Sequence, residues 1–282
     1  MSLQDEANWP RAQIDADYVA KNCTSPEDFA RIIAAYASTS LPAKHLPDTT
    51  LDLCYDTASG QVMDLYNAGA NRPVLLFIHG GYWRALSKDH SAFMAPMLAA
   101  HGIATAVPDY TLAPNATLTE ITRQMRAALA HLWHNAERLG IDRSRIVVAG
   151  SSAGGHLAAM LACDGWQAGF DLPGNALRAA MPISGLFELA PIAASHVQDW
   201  MKFTLQEVET LSPLRHTNGT ARSVVAVAQV ETPGFHRQSQ AYASALGAPL
   251  LTIAGRNHFD IILDLMDAGT PLSRELLGLF DA

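Results

Sequence analysis

The chain has 282 residues, of which 49% are hydrophobic and 16% charged; 19 basic against 27 acidic side chains give a formal charge of −8. That length and apolar content suit one large domain burying about three quarters of its unfolded surface, and they exclude intrinsic disorder. An acidic chain without a basic tract is not expected to bind nucleic acid or an anionic membrane, and no apolar run approaches the roughly 20 residues that span a bilayer.

The acidic opening Met-Ser-Leu-Gln-Asp-Glu lacks a signal-peptide pattern, so a cytoplasmic protein is expected. Cys23, Cys54 and Cys163 are odd in number and widely spaced, which reads as small apolar residues rather than bridges or ligands.

Residues 1–48 read as a helical lead-in packed on the core. Ser25 caps a helix with Pro26 at its first position, and Phe29, Ile32, Ile33 and Tyr36 form one apolar face. That face packs on its own domain or on a second copy, which leaves a homodimer open. Leu51–Tyr55 and Gln61–Tyr66 alternate around Ser59-Gly60 as a hairpin. Beyond them apolar strands alternate with helices: strands at 73–78, 103–107, 145–149, 179–183, 223–230 and 249–253, helices at 91–100, 118–139 and 155–162. This order implies crossover units, hence a mostly parallel sheet with helices on both faces, forming one α/β domain over residues 49–282. Residues 186–222 are long for a connection and are expected to form a small cap or lid over the strand ends.

Open α/β sheets carry their chemistry at the C-terminal ends of strands. Gly150-Ser-Ser-Ala-Gly154 stands between a β-branched run and a helix, the context of a nucleophile elbow with Ser152 exposed at the turn. His79-Gly-Gly-Tyr-Trp83 follows another strand and offers an oxyanion hole from the N–H groups of Gly81 and Tyr82, completed by Ala153. Trp83 is expected on the substrate wall, and His79 as a structural histidine bonded to loop backbone. His258, beyond the last strand, is the expected base. Its orienting acid is expected at Glu231, directly after the 223–230 strand, with Glu188 as the alternative. No metal-ligand spacing is present: His131 and His134 lie three apart on a helix without a third ligand nearby, so neither metal nor cofactor is expected.

Together these residues resemble the α/β-hydrolase superfamily, in its esterase/lipase branch related to hormone-sensitive lipase, over about residues 51–277. His79-Gly-Gly-Tyr-Trp83, Gly150-Ser-Ser-Ala-Gly-Gly-His156, Phe235-His-Arg-Gln-Ser239 and Asn257-His-Phe-Asp260 are most similar to the kynurenine formamidase (arylformamidase) group. The resemblance implies a serine hydrolase that cleaves a small amide or ester through an acyl-enzyme, with N-formyl-L-kynurenine as the implied substrate. One position departs from the group: where its members carry the triad Asp, this chain has Val230, with Glu231 next to it. A carboxylesterase for short acyl or aryl esters, or a carbamate or lactone hydrolase, needs the same residues around a different pocket. A non-catalytic ligand-binding protein on the same fold is the reading from another class. Arg84, Asp199 and Arg256 are the candidate polar contacts for a zwitterionic substrate.

Overall fold

Each apolar run that reads as a strand is one in the computed structural model, which describes residues 2–281. Strands β1 (Thr50–Asp56), β2 (Gln61–Tyr66), β3 (Arg72–Ile78), β4 (Ala104–Pro108), β5 (Ile141–Ser151), β6 (Ala179–Ile183), β7 (Arg222–Ser223), β8 (Val225–Val230) and β9 (Leu250–Asn257) form one nine-stranded sheet. Its order is β1-β2-β4-β3-β5-β6-β8-β9, with β7 beside β6. The hairpin partners β1 and β2 pair antiparallel, as does β2 with β4. The other pairs are parallel because helices connect them.

The helices are α1 (Arg11–Tyr18), α2 (Pro26–Ser40), α3 (Ala95–Ala100), α4 (Leu118–His134), α5 (Ala136–Leu139), α6 (Ala153–Ala162), α7 (Ala190–Ala193), α8 (Gln198–Met201), α9 (Leu205–Thr210), α10 (Pro233–Leu246) and α11 (Pro271–Asp281). Covering both faces of the sheet explains why Pro73–Ile78 of β3 and Ile146–Gly150 of β5 are apolar without alternation. Val74, Leu76 and Ile78 of β3 join a core with Met125 and Leu129 of α4 and Leu157 of α6. Leu75 and Phe77, between them in sequence, join the opposite core with Leu98 of α3 and Leu272 and Leu276 of α11.

Three elements differ from the sequence reading. The 91–100 helix is confined to Ala95–Ala100, with Pro96 in its first turn, where a missing N–H costs nothing. The 118–139 helix breaks at Asn135, and its second piece ends on left-handed Gly140. Strand β9 runs on to Asn257, with a bulge opposite Ala228–Val230 that contains Gly255 at φ 70°.

The lead-in does more than cover the core. The Ser25 hydroxyl accepts from the Asp28 N–H at 3.0 Å and starts α2, whose Ile32 and Tyr36 are buried with Phe93. Residues 2–18 are tied to the start of α10. Arg237 pairs with Glu6 and Asp17, the Thr232 hydroxyl donates to the Asp17 carbonyl, and Gly234 leaves no room for a Cβ beside that carbonyl and the Tyr18 ring. Residues 186–222 hold the short helices α7 to α9, and the His196 N–H bonds Asp15 of α1 at 2.6 Å. No helix among the described residues is long and apolar enough to cross a membrane.

Candidate active site

Strand β5 delivers the chain to Ser152, which has φ 58° and ψ −118°, a conformation that non-glycine residues rarely adopt. The surrounding glycines make the turn feasible. A Cβ on Gly150 would strike the Gly154 carbonyl, one on Gly154 the Ile78 carbonyl, and one on Gly155 would lie 2.7 Å from the Ile183 oxygen. Helix α6 therefore lies directly on the ends of β3 and β6, with Ser152 at its N-cap. The Ser152 N–H is anchored to the Ile183 carbonyl at 2.9 Å.

The loop after β3 packs against this elbow, since a Cβ on Gly80 would come within 2.8 Å of the Ser151 oxygen. Gly81, Tyr82 and Trp83 have φ of 96°, 49° and 57° in succession. This left-handed run lets the Arg84 and Ala85 N–H groups both bond the Gly81 carbonyl, at 3.0 and 3.1 Å. The N–H groups of Gly81, Tyr82 and Ala153 have no intramolecular partner among the described residues, so each is free to receive a developing oxyanion. His79 lies within 2.9 Å of the Gly80 carbonyl through Nδ1 and stacks on Tyr110 with ring centroids 4.2 Å apart. Its burial pushes its pKa down to about 4, which keeps it neutral and donating to that carbonyl. The Tyr110 hydroxyl donates to the carbonyls of His79 and Gly80, and it had no signal in sequence.

On the other side of Ser152, His258 follows β9 and its Nδ1 is 2.9 Å from Glu231 Oε2. The second carboxylate oxygen accepts from the Ala228 N–H at 3.0 Å and from the Ser184 hydroxyl. The Glu231 carboxylate is completely buried and its hydrogen bonds are satisfied from three directions. The Val230 departure has a plain geometric resolution. Val230 is 47% exposed and faces away, and Glu231, just past the strand end, turns its side chain inward to His258. Glu188, the alternative acid, does not contact His258. It is buried against Arg215, with a 2.7 Å ion pair, and caps Ala190.

Ser152, His258, Gly81 and Tyr82 all face one cavity of about 500 Å³. Its walls are mostly apolar: Phe29, Ile33 and Tyr36 of α2, Phe77 of β3, and Phe259 and Ile262 beyond His258. Two expectations are corrected here. Trp83 is not on the wall. It is fully buried in the core, edge-on to His156 and Phe203, because its left-handed backbone turns the side chain inward. Residues 186–222 do not alone cover the site. They supply His196 and Trp200, whereas the N-terminal segment supplies Val19 to Lys21 and the α2 face. Of the candidate polar contacts, Arg84 lines the cavity, Arg256 is paired with Asp264, and Asp199 lies beside Arg11.

Residues 63–184 match the BD-FAE family, a span that holds the glycine loop and Ser152 but stops short of Glu231 and His258. The kynurenine formamidase of Danio rerio is 30% identical over 271 residues, covering 90% of each chain. The carboxylesterase NlhH of Mycobacterium tuberculosis is 39% identical over 94 residues, 33% of this chain and 29% of that one. The crystal structure of a candidate thioesterase from Silicibacter sp. TM1040 is 28% identical, with a TM-score of 0.82 over 96% of this chain and 99% of that one. With its elbow, its parallel sheet and these relatives, the chain is an ester- or amide-cleaving α/β-hydrolase and belongs to the kynurenine formamidase family.

Proposed function

We propose that this protein hydrolyses aryl formamides of the N-formyl-L-kynurenine type, with Ser152 as nucleophile, His258 as base and Glu231 as the orienting acid. The observation that carries this reading is that His258, bonded to the buried Glu231, lines the same aromatic cavity as Ser152. Ser152 Oγ attacks the formyl carbon as its proton passes to His258, and the Gly81, Tyr82 and Ala153 N–H groups hold the oxyanion. His258 then returns the proton to the departing aryl nitrogen, leaving a formyl ester on Ser152. Water, deprotonated by His258, attacks that ester, and formate leaves as Ser152 regains its proton. The formyl group is small, so discrimination falls to the leaving-group side, where Phe29, Tyr36 and Phe259 suit an aryl ring.

A carboxylesterase acting on short aryl esters is the second reading, supported by the 94-residue match to NlhH. The test is kynurenine release from N-formyl-L-kynurenine beside p-nitrophenyl acetate cleavage, in wild type and Ser152→Ala. The proposal expects formamide turnover well above ester turnover, and a fall of about 10⁶-fold in kcat when the hydroxyl is removed. Ester cleavage without formamide cleavage would establish the second reading instead. Formamide turnover that survives Ser152→Ala would overturn the mechanism.

A further inference from the structure

The cavity that holds Ser152 has an unbalanced set of charges. Among the described residues no Asp or Glu lines it, while Lys21 and Arg84 both do. Neither cation has a carboxylate partner among the described ion pairs, in contrast to Arg215, Arg237 and Arg256, which are all paired. Each instead lies over an aromatic face: Lys21 Nζ is 4.2 Å from the Phe29 ring centroid, and Arg84 Cζ is 4.2 Å from that of Trp200. Both side chains are exposed, so they stand where the cavity opens to solvent. Stacking on a ring holds a cation in place and strips part of its water without neutralising it, which leaves its hydrogen-bond donors for a ligand. In a chain of net charge −8, two unpaired cations at the mouth of an acid-free cavity form a local attraction for anions.

We propose that Arg84 and Lys21 form a carboxylate-binding subsite that selects substrates bearing an anionic group on the leaving-group side, away from the bond that is cleaved. This rests on the formamidase reading for the identity of the scissile group, but not for the preference itself. An aryl ring in the apolar part of the cavity would place a carboxylate on a short side chain at the mouth, where the guanidinium fork accepts it bidentately and the ammonium adds a second point of contact. A neutral ligand of the same shape gains only the apolar wall.

The test is a binding measurement that needs no turnover. 3-Benzoylpropanoate and its uncharged amide are titrated into the intact protein by calorimetry, in wild type, Arg84→Gln, Lys21→Gln and the double variant. Wild type is expected to bind the carboxylate at least tenfold more tightly than the amide. That preference falls to threefold or less in the double variant, and Arg84→Lys recovers part of it. Equal affinities in wild type, or a preference that survives both substitutions, would overturn the subsite. Absence of formamide turnover with the anion preference intact would overturn the formamidase reading alone.

Discussion

Around Ser152 the backbone itself fixes the geometry. Three glycines allow α6 to sit on the strand ends, and Glu231 is held by a backbone N–H, a serine hydroxyl and His258. The facing wall, built from residues 2–40, is held differently: by Arg237 on Glu6 and Asp17, by Asp15 on the His196 N–H, and by the Tyr36 and Tyr82 hydroxyls on single carbonyls. Chemistry is thus assigned to the sheet, where position follows from strand register. Recognition is assigned to a segment seated by side-chain ties that solvent and pH can loosen.

The comparison is sharpest at the two buried glutamates. Glu231→Gln is expected to lower kcat by about 10²–10⁴-fold, since the amide leaves the imidazole without its compensating charge. Glu188→Gln is expected to leave kcat within a few-fold while costing about 3 kcal/mol of stability, because it strips a buried partner from Arg215. Steady-state kinetics beside urea unfolding separates the two effects, and a comparable kcat loss in both variants would remove the distinction.

Acid should act on the two regions in different windows. Burial pushes His79 and His156 down to about 4, against a backbone hydrogen bond that acts upward in each. Their folded values lie below the ordinary 6.5, so the unfolded chain binds more protons between those limits. The stability they contribute is full above pH 6.5 and is lost on descent to about 4, on the order of 3 kcal/mol each. Asp15 of the N-terminal wall has the same sign in a lower window: burial raises its pKa, but the hydrogen bonds from His196 and Arg11 outweigh it and hold the group below 3.8. Its contribution is therefore present above 3.8 and lost only below. Unfolding midpoints at pH 7, 5.5 and 4.5 should fall steadily, and His156→Gln should remove part of that slope; an unchanged slope would exclude His156 as a source of it.

The smallest effect is expected from Arg237→Ala, about 1–3 kcal/mol, because the guanidinium is 34% exposed although Glu6 is buried. Loosening the wall should raise KM more than it lowers kcat and should direct proteolysis to residues 2–40. A lower Tm with KM unchanged would show that this segment does not shape the cavity.

The parts of the site that were legible in sequence are those where a steric demand fixes residue type locally. The elbow glycines are needed within a few residues of Ser152, and the hairpin and the paired apolar faces of the sheet follow the same logic. Glu231 could be read despite the Val230 departure because a carboxylate directly after a strand has one natural neighbour, the loop that follows the next strand. Tyr110, Ser184 and the α2 wall were not legible. Each meets its partner across the fold, Tyr36 bonding Phe259 223 residues away, and no local pattern marks such a contact. Trp83 misled because an aromatic beside a glycine loop suits wall and core equally. Backbone φ decides between them, and φ is not written in residue type.

The ties from the N-terminal segment to α10 join residues 215 to 231 positions apart. During synthesis, residues 2–40 leave the ribosome long before Thr232 and Arg237 exist to receive them. The wall that closes the cavity is therefore made well before the residues that seat it. Until then residues 2–18 lack the α10 partners that seat them, while α2 can already pack Ile32 and Tyr36 on Phe93, so the unseated part of the wall is the stretch most exposed to premature association. A protein with this arrangement acquires a finished pocket only after Thr232, Arg237 and His258 have all been made, so no shorter nascent chain can select substrates.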